Sequence, residues 1–332
     1  MKFLRWQLLL LAALFLLTVS CGRSQSELKK TPLQQWMQSN GKIKVLCTTS
    51  MIADIVQELG KDHIDCLTLI QGESDPHSYQ LVKGDDEKFV RADLIFYSGL
   101  GLEHGPSLAE RLTDTPKAFS IGDFLAKTNH ENIIMYNGSV DPHIWMDVSL
   151  WAAAVPFIAQ KLTDARPDLS ECFETNSKKT HDKLQQVHQE IRHRISKIPV
   201  SSRYLVSAHE AFNYFVRAYL ATDEERLNNT WMIRSMAPEG LAPDSQLSTA
   251  DIQRLVDHIV AYNVKVLFAE SNVSRDSLKK LIDAALKKGH IVHVDKDPLY
   301  VDAMGPKGSI ADTYVGMMLY DSETIARGLS HE

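Results

Sequence analysis

Two tripeptides of identical composition, Asp75-Pro76-His77 and Asp141-Pro142-His143, carry the clearest chemistry in the chain. In each, proline fixes its own φ and pushes the preceding Asp toward an extended conformation, so the histidine leaves a stiff turn. Stiffness suits a metal ligand. Asp75 and Asp141 can each accept a hydrogen bond from one imidazole nitrogen and leave the other nitrogen free to coordinate. Downstream, His209 closes the run Arg203 to Ala208, and Asp302 lies in Val301-Asp302-Ala303-Met304-Gly305. Three imidazoles and one carboxylate form an N₃O set for a single borderline divalent ion, zinc, manganese or iron. His209 and Asp302 are less specific signals than the repeated tripeptide, because single His and Asp residues at strand ends are common.

Such ligands need elements that bring them together. From residue 42 apolar runs alternate with amphipathic stretches, the rhythm of parallel strands joined by helices. Strands are expected at 42–48, 63–70, 94–98, 203–208, 264–270 and 290–294. Helices are expected at 51–60, 86–91, 106–113, 151–165, 211–219, 274–288 and 313–329, and one at 249–262 with a Ser248-x-x-Asp251 start signal. Between Pro167 and Pro199 there is no internal Gly or Pro, and Leu184, Val187, Ile191, Ile195 and Ile198 recur at helical spacing. This predicts one long strut of about 45 Å. The fold class is therefore α/β: two βα lobes (41–166 and 200–332) with parallel sheets, linked by one long helix (167–199), the metal site lying in the cleft between them. His181, His188 and His193 on the strut read as solvated, and His290 and His293 as half-exposed strand residues.

The motifs DPHSY (75–79), DPHIWMD (141–147), SAHEAFNYF (207–215) and VDAMG (301–305) resemble the metal-receptor family of ABC importers, the solute-binding proteins for zinc, manganese and iron. The resemblance spans about residues 42 to 325 and is strongest to the manganese/iron-type branch, in particular its chlamydial member. It implies His77, His143, His209 and Asp302 as metal ligands, an ABC permease with its ATPase as partners, and no enzymatic activity. Most relatives carry His-Asp-Ala-Phe where this chain has His209-Glu210-Ala211-Phe212, which places Glu210 beside the third ligand as a support. Trp145 and Asp147 are candidates for walls and supports of the site, and Glu103 for an acid near the crevice or a helix start. Zinc-dedicated members often insert a His- and acid-rich loop between the first two ligands, whereas residues 104–140 hold only His104 and His130. A zinc-dedicated receptor is the alternative reading, and a metallohydrolase or a siderophore receptor a weaker one. No HExxH, GxSxG, P-loop or GxGxxG motif supports an enzyme. Imidazole ligands predict weaker metal binding as pH falls through about 6.5.

The first residues set the compartment. Lys2 and Arg5 precede ten apolar residues, Leu8 to Leu17, and the small stretch Thr18-Val19-Ser20 before Cys21, the pattern of a secretory signal peptide over 1–20. Cys21, with the polar residues that follow, is a candidate lipidation site at which a flexible leader (21–40) would tether a periplasmic body; this is the only membrane contact expected. Lys and Arg number 36 against 42 Asp and Glu, a net charge of −6. Cleavage after residue 20 removes Lys2, Arg5 and no acid, leaving −8. Such a chain is no binder of nucleic acid, which needs a basic surface, and a monomer is expected. Cys47, Cys66 and Cys172 are an odd set for an oxidising compartment. Cys47 and Cys66 read as small buried residues on neighbouring strands, or alternatively as a disulfide between those strands.

Overall fold

The computed structural model describes residues 31–243 and 248–330, so the expected signal peptide, Cys21 and most of the expected leader lie outside the described residues. Residues up to Gln38 form a unit of their own. Its described part is a short helix, α1 (Pro32–Trp36), started by a Thr31–Gln34 capping box. These five leader positions are thus helical, where flexible chain is expected.

From Ser39 onward the chain runs β1 (Ile43–Cys47), α2 (Ser50–Gly60), β2 (Ile64–Thr68), α3 (Asp85–Arg91), β3 (Leu94–Tyr97), α4 (Pro106–Thr113), β4 (Ala118–Ser120) and α5 (Ile121–Thr128). The four strands pair in parallel in the order β2-β1-β3-β4. β1 is central and buried along its whole length. Its one charged residue, Lys44, is tolerated there because its ammonium pairs with Asp65 of β2. The chain leaves β1 toward β2 on one side and β3 on the other, and this reversal opens a crevice at the carboxyl ends of the strands. A hairpin follows, β5 (Met135–Tyr136) and β6 (Ser139–Val140). Its turn residues Asn137 and Gly138 both have positive φ, the conformation that an Asn-Gly pair adopts most readily.

The helix expected from Trp151 to Ala165 is two helices, α6 (Val148–Ala152) and α7 (Val155–Ala165). Pro156 has no N–H to give the carbonyl of residue 152, so the first helix ends and a second restarts with proline in its first turn. The strut is α8 (Ser170–Ser196), 27 residues or about 40 Å. It buries Phe173, Thr180, Leu184, Val187, Ile191 and Ile195 and packs on α2, α6 and α7. His188 is buried on the same stripe, one turn from Leu184, with Nδ1 3.0 Å from the Tyr219 hydroxyl. The expectation that it is solvated is corrected.

Beyond the strut come β7 (Leu205–Val206), α9 (Asn213–Phe215) widening into a π turn over Val216–Leu220, α10 (Asp223–Leu227), β8 (Ser235–Met236), α11 (Thr249–Ala261), β9 (Val266–Leu267), α12 (Asp276–Lys287), β10 (His293–Val294) and α13 (Tyr314–Ser330). The Ser248–Asp251 capping box starts α11 as its sequence signals. β7 pairs with β8 and β9 with β10, both in parallel, and a bond from Phe268 N–H to the Val206 carbonyl (2.8 Å) joins the pairs. The resulting order, β8-β7-β9-β10, repeats the order of the first sheet. These ladders are shorter than the apolar runs imply; Arg203 and Tyr204, for example, are held in a turn by bonds to Val200 and Ser202. One apolar cluster runs from Val45 and Ile55 through Ile191 to Phe268 and Met317, so both sheets and α8 share a core. Among the described residues no helix is long and apolar enough to cross a membrane.

Candidate metal centre

Each of the four candidate ligands leaves a loop at the crevice side of a sheet. His77 follows β2, His143 follows the β5–β6 hairpin, His209 follows β7, and Asp302 follows the chain that pairs Leu299 with Glu270. The four side chains converge, with one ligand atom from each lying within 4.8 Å of all the others. His143 Nε2 is 3.3 Å from His77 Nε2. Asp302 faces the imidazoles with both oxygens: Oδ1 is 3.6 Å from His143 Nε2, and Oδ2 is 3.4 Å from His209 Nε2 and 3.9 Å from His77 Nε2. Ligands about 2.1 Å from a tetrahedral ion stand about 3.4 Å apart, so the cluster is spaced for a cation at its centre. All four residues are buried. His209 Nε2 and Asp302 Oδ1 have no hydrogen-bond partner there, an arrangement whose desolvation cost a bound cation removes.

The two tripeptides, alike in sequence, are used differently. Asp141 Oδ1 accepts both the His143 backbone N–H (2.9 Å) and its Nδ1–H (2.8 Å), which leaves Nε2 as the coordinating atom. Its other oxygen accepts from Asn213 Nδ2 (3.0 Å) and its carbonyl from the Tyr214 hydroxyl (3.0 Å), both beyond the strut. Asp75 instead accepts the His77 backbone N–H (2.8 Å) and the Ser78 hydroxyl (2.6 Å). Asp75 therefore shapes the turn and does not orient the imidazole, a correction to its expected role.

For His209 the orienting carboxylate is Glu270, which the sequence reading passes over. Its Oε2 takes the imidazole Nδ1–H, and its Oε1 accepts the backbone N–H groups of Ala208 (2.9 Å) and His209 (3.0 Å). The signal was present: Glu270 ends the run 264–270 much as His209 ends the run 203–208, and β7 and β9 lie side by side. Glu210 does not touch the His209 ring. Its Oε1 accepts the Tyr136 hydroxyl (2.9 Å) and the Ala237 N–H (3.0 Å), fastening the β5–β6 hairpin across the crevice. Burial raises its pKa to about 7. Trp145 is a wall, its ring edge-on to His143 at 5.4 Å and its Nε1–H bonded to the Val301 carbonyl (2.8 Å) beside Asp302. Asp147 lies away from the ligands and caps α6 through the Ser149 and Leu150 N–H groups. Glu103 bridges β1 and β3, accepting from the Thr48 hydroxyl (2.7 Å) and the backbone of Ser98 (2.8 Å) and Gly99 (3.0 Å). It supports the loop that sets His104 near His77, with ring centroids 5.6 Å apart.

The charge states differ across the cluster. Burial and the neighbouring imidazoles of His143, His209 and His104 hold His77 far below the ordinary histidine value. Burial also pulls His209 down, but Glu270 and Asp302 outweigh it and raise its pKa to about 9. Burial pushes Asp302 up, opposed by His209 and His143. His209 therefore carries a proton at neutral pH that a metal ion must displace.

Over residues 45–328 the chain matches the family model described as ZnuA, zinc-uptake complex component A, periplasmic. It is 36% identical over 322 residues to the metal-binding protein YtgA of Chlamydia trachomatis serovar D, covering 97% of this chain and 94% of that protein. It is 32% identical to the manganese-binding lipoprotein MntA of Bacillus subtilis, covering 87% and 90% of the two chains. Its fold superposes on Fe(III)-bound YtgA from Chlamydia trachomatis with a TM-score of 0.82, 36% identity, and coverage of 87% of this chain and 98% of that one. On the periplasmic zinc-binding protein TroA of Treponema pallidum the TM-score is 0.78, with 29% identity and coverage of 88% and 100%. With the family model spanning both sheets and all four converging side chains, the chain belongs to the ZnuA family of metal-binding solute-binding proteins.

Proposed function

We propose that this chain is the extracytoplasmic receptor of an ABC importer, capturing one divalent transition metal ion between two lobes (41–166 and 200–332) and releasing it to a membrane permease driven by an ATPase. The observation that carries the reading is the buried cluster of His77, His143, His209 and Asp302, with unpartnered polar atoms facing its centre. His77, His143 and His209 would bind through Nε2, and Asp302 through one or both oxygens. Paired oxygens would admit the higher coordination of manganese or iron, one oxygen the tetrahedron of zinc. Export through residues 1–20 and a lipid anchor at Cys21 fit relatives that are themselves named lipoproteins.

The ion would be cargo rather than a catalytic centre. A catalytic zinc keeps one coordination position open for water beside three protein ligands, whereas four protein side chains here close around the site. Relatives named for iron, manganese and zinc support all three metals. Intrinsic affinity favours zinc over manganese and iron in most N/O sites, so supply and release decide which metal is carried.

The test is elemental analysis of protein purified under manganese, iron and zinc supply, with both iron oxidation states included. One equivalent of metal is expected in the native chain and a clear loss in His77→Ala. If His77→Ala retains the native metal content, the reading fails.

The pH dependence has a definite sign. A metal must displace the proton held by His209 at any pH below about 9. Affinity should therefore fall about tenfold per pH unit on acidification from pH 8.5 to 7, a window that opens above the 6.5 of a free imidazole. His77, held neutral, adds nothing there. A titration in weakly buffered solution should show close to one proton released per metal near pH 7.5 from this group. In the metal-free chain, the stability contributed by the raised pKa is fully present below about 6.5 and lost as pH rises through about 9.

A further inference from the structure

Cys47 and Cys66 take no part in the metal centre. β1 and β2 pair with Val45 opposite Cys66, so Cys47, two residues further along β1, points to the same face of the sheet. The two are free thiols with their sulfurs 3.6 Å apart. Cys47 is fully buried in the central strand, and Cys66 is half-buried on the edge strand. The other cysteine among the described residues, Cys172, is on α8, near Asn176.

We propose that Cys47 and Cys66 are a redox-active dithiol that closes to a disulfide when the folded chain meets a thiol–disulfide oxidant. The sulfurs need to approach by about 1.6 Å to reach bonding distance. Cys66 belongs to a strand with one free edge, so its side chain can turn and its backbone can adjust. It is also the sulfur that an oxidant reaches first. Its thiolate attacks a sulfur of the oxidant's disulfide, forming a mixed disulfide and expelling one thiolate. Cys47 then loses its proton and attacks Cys66 Sγ, forming the Cys47–Cys66 bond and expelling the second thiolate. The protein gives up two electrons and two protons, and the oxidant leaves as two thiols. The new bond ties β2, which runs on into the His77 loop, to β1, which runs on into Thr48 and its bond to Glu103.

The inference goes beyond the proposed transport role and does not depend on it. The test uses the mature chain, folded and metal-free, with oxidised glutathione as the oxidant, followed by alkylation and peptide mapping. The expected product links the Cys47 and Cys66 peptides and leaves Cys172 alkylated, with a thermal midpoint about 5 °C above the reduced chain. Cys47→Ser should stop the reaction at a stable glutathione adduct on Cys66, and Cys66→Ser should leave Cys47 unmodified. Recovery of Cys47, Cys66 and Cys172 all alkylated, or of a glutathione adduct on Cys66 in the native chain that Cys47 does not resolve, would overturn the proposal.

Discussion

Asp302→Ala is expected to lower metal affinity by at least about 100-fold and so to remove stoichiometric capture. Structural zinc binding of 10–16 kcal/mol spread over four ligands assigns roughly 3 kcal/mol to each, which corresponds to about two decades in Kd. The loss should be at the upper end for Asp302, the one carboxylate of the cluster among the described residues. Its two oxygens face three imidazoles, so truncation leaves only neutral ligands to balance the ion's charge. Asp302→Asn keeps the shape and one oxygen but loses the charge, and should fall between the native chain and the alanine variant. Competition against a chelator of known affinity measures all three. An alanine variant within about threefold of the native chain would mean that the ion is held elsewhere.

Glu270→Gln is expected to weaken binding by roughly 10-fold and Glu270→Ala by roughly 100-fold, the range seen when a residue orienting a ligand histidine is lost. Glu270 acts in three ways. It takes the His209 Nδ1–H and so directs Nε2 toward the cluster. It makes the imidazole more basic, and it anchors the backbone N–H groups of Ala208 and His209. Glutamine retains an acceptor but not the charge, so the His209 pKa should drop toward the ordinary value. Proton release on metal binding near pH 7.5 should then decline along with affinity. A packing defect alone would weaken binding without changing the proton count. The sign is therefore diagnostic: affinity lost with undiminished proton release would assign Glu270 a purely structural role.

Much of the fold is legible in the chain because it depends on local pattern. The run at 42–48 predicts a strand, the three- and four-residue spacing of Leu184, Val187, Ile191 and Ile195 predicts the strut, and Ser248 with Asp251 predicts where α11 starts. The break before α7 and the Asn137-Gly138 hairpin are not among the expectations, although Pro156, which cannot complete the helical ladder, and the Asn-Gly pair signal them. The short ladders of the second sheet are not legible, because an apolar run does not say where its backbone bonds go. His188 shows the same limit, since its place at the edge of the apolar stripe becomes burial only when Tyr219 packs against it.

At the metal centre the residue types that can hold the ion are determined by sequence: two histidines on proline-stiffened turns, and a histidine and an aspartate at the ends of later runs. What holds those ligands was decided only by tertiary structure. Asp75 and Asp141 precede the same Pro-His, yet only Asp141 orients its imidazole, because Asn213 and Tyr214 arrive from beyond the strut to fix it. Glu270 lies 61 residues from His209 in the chain and reaches it because the order β8-β7-β9-β10 sets β7 beside β9. Hydrogen bonds of a few ångströms depend on which strands become neighbours, and that order follows from how the whole chain packs around one shared core.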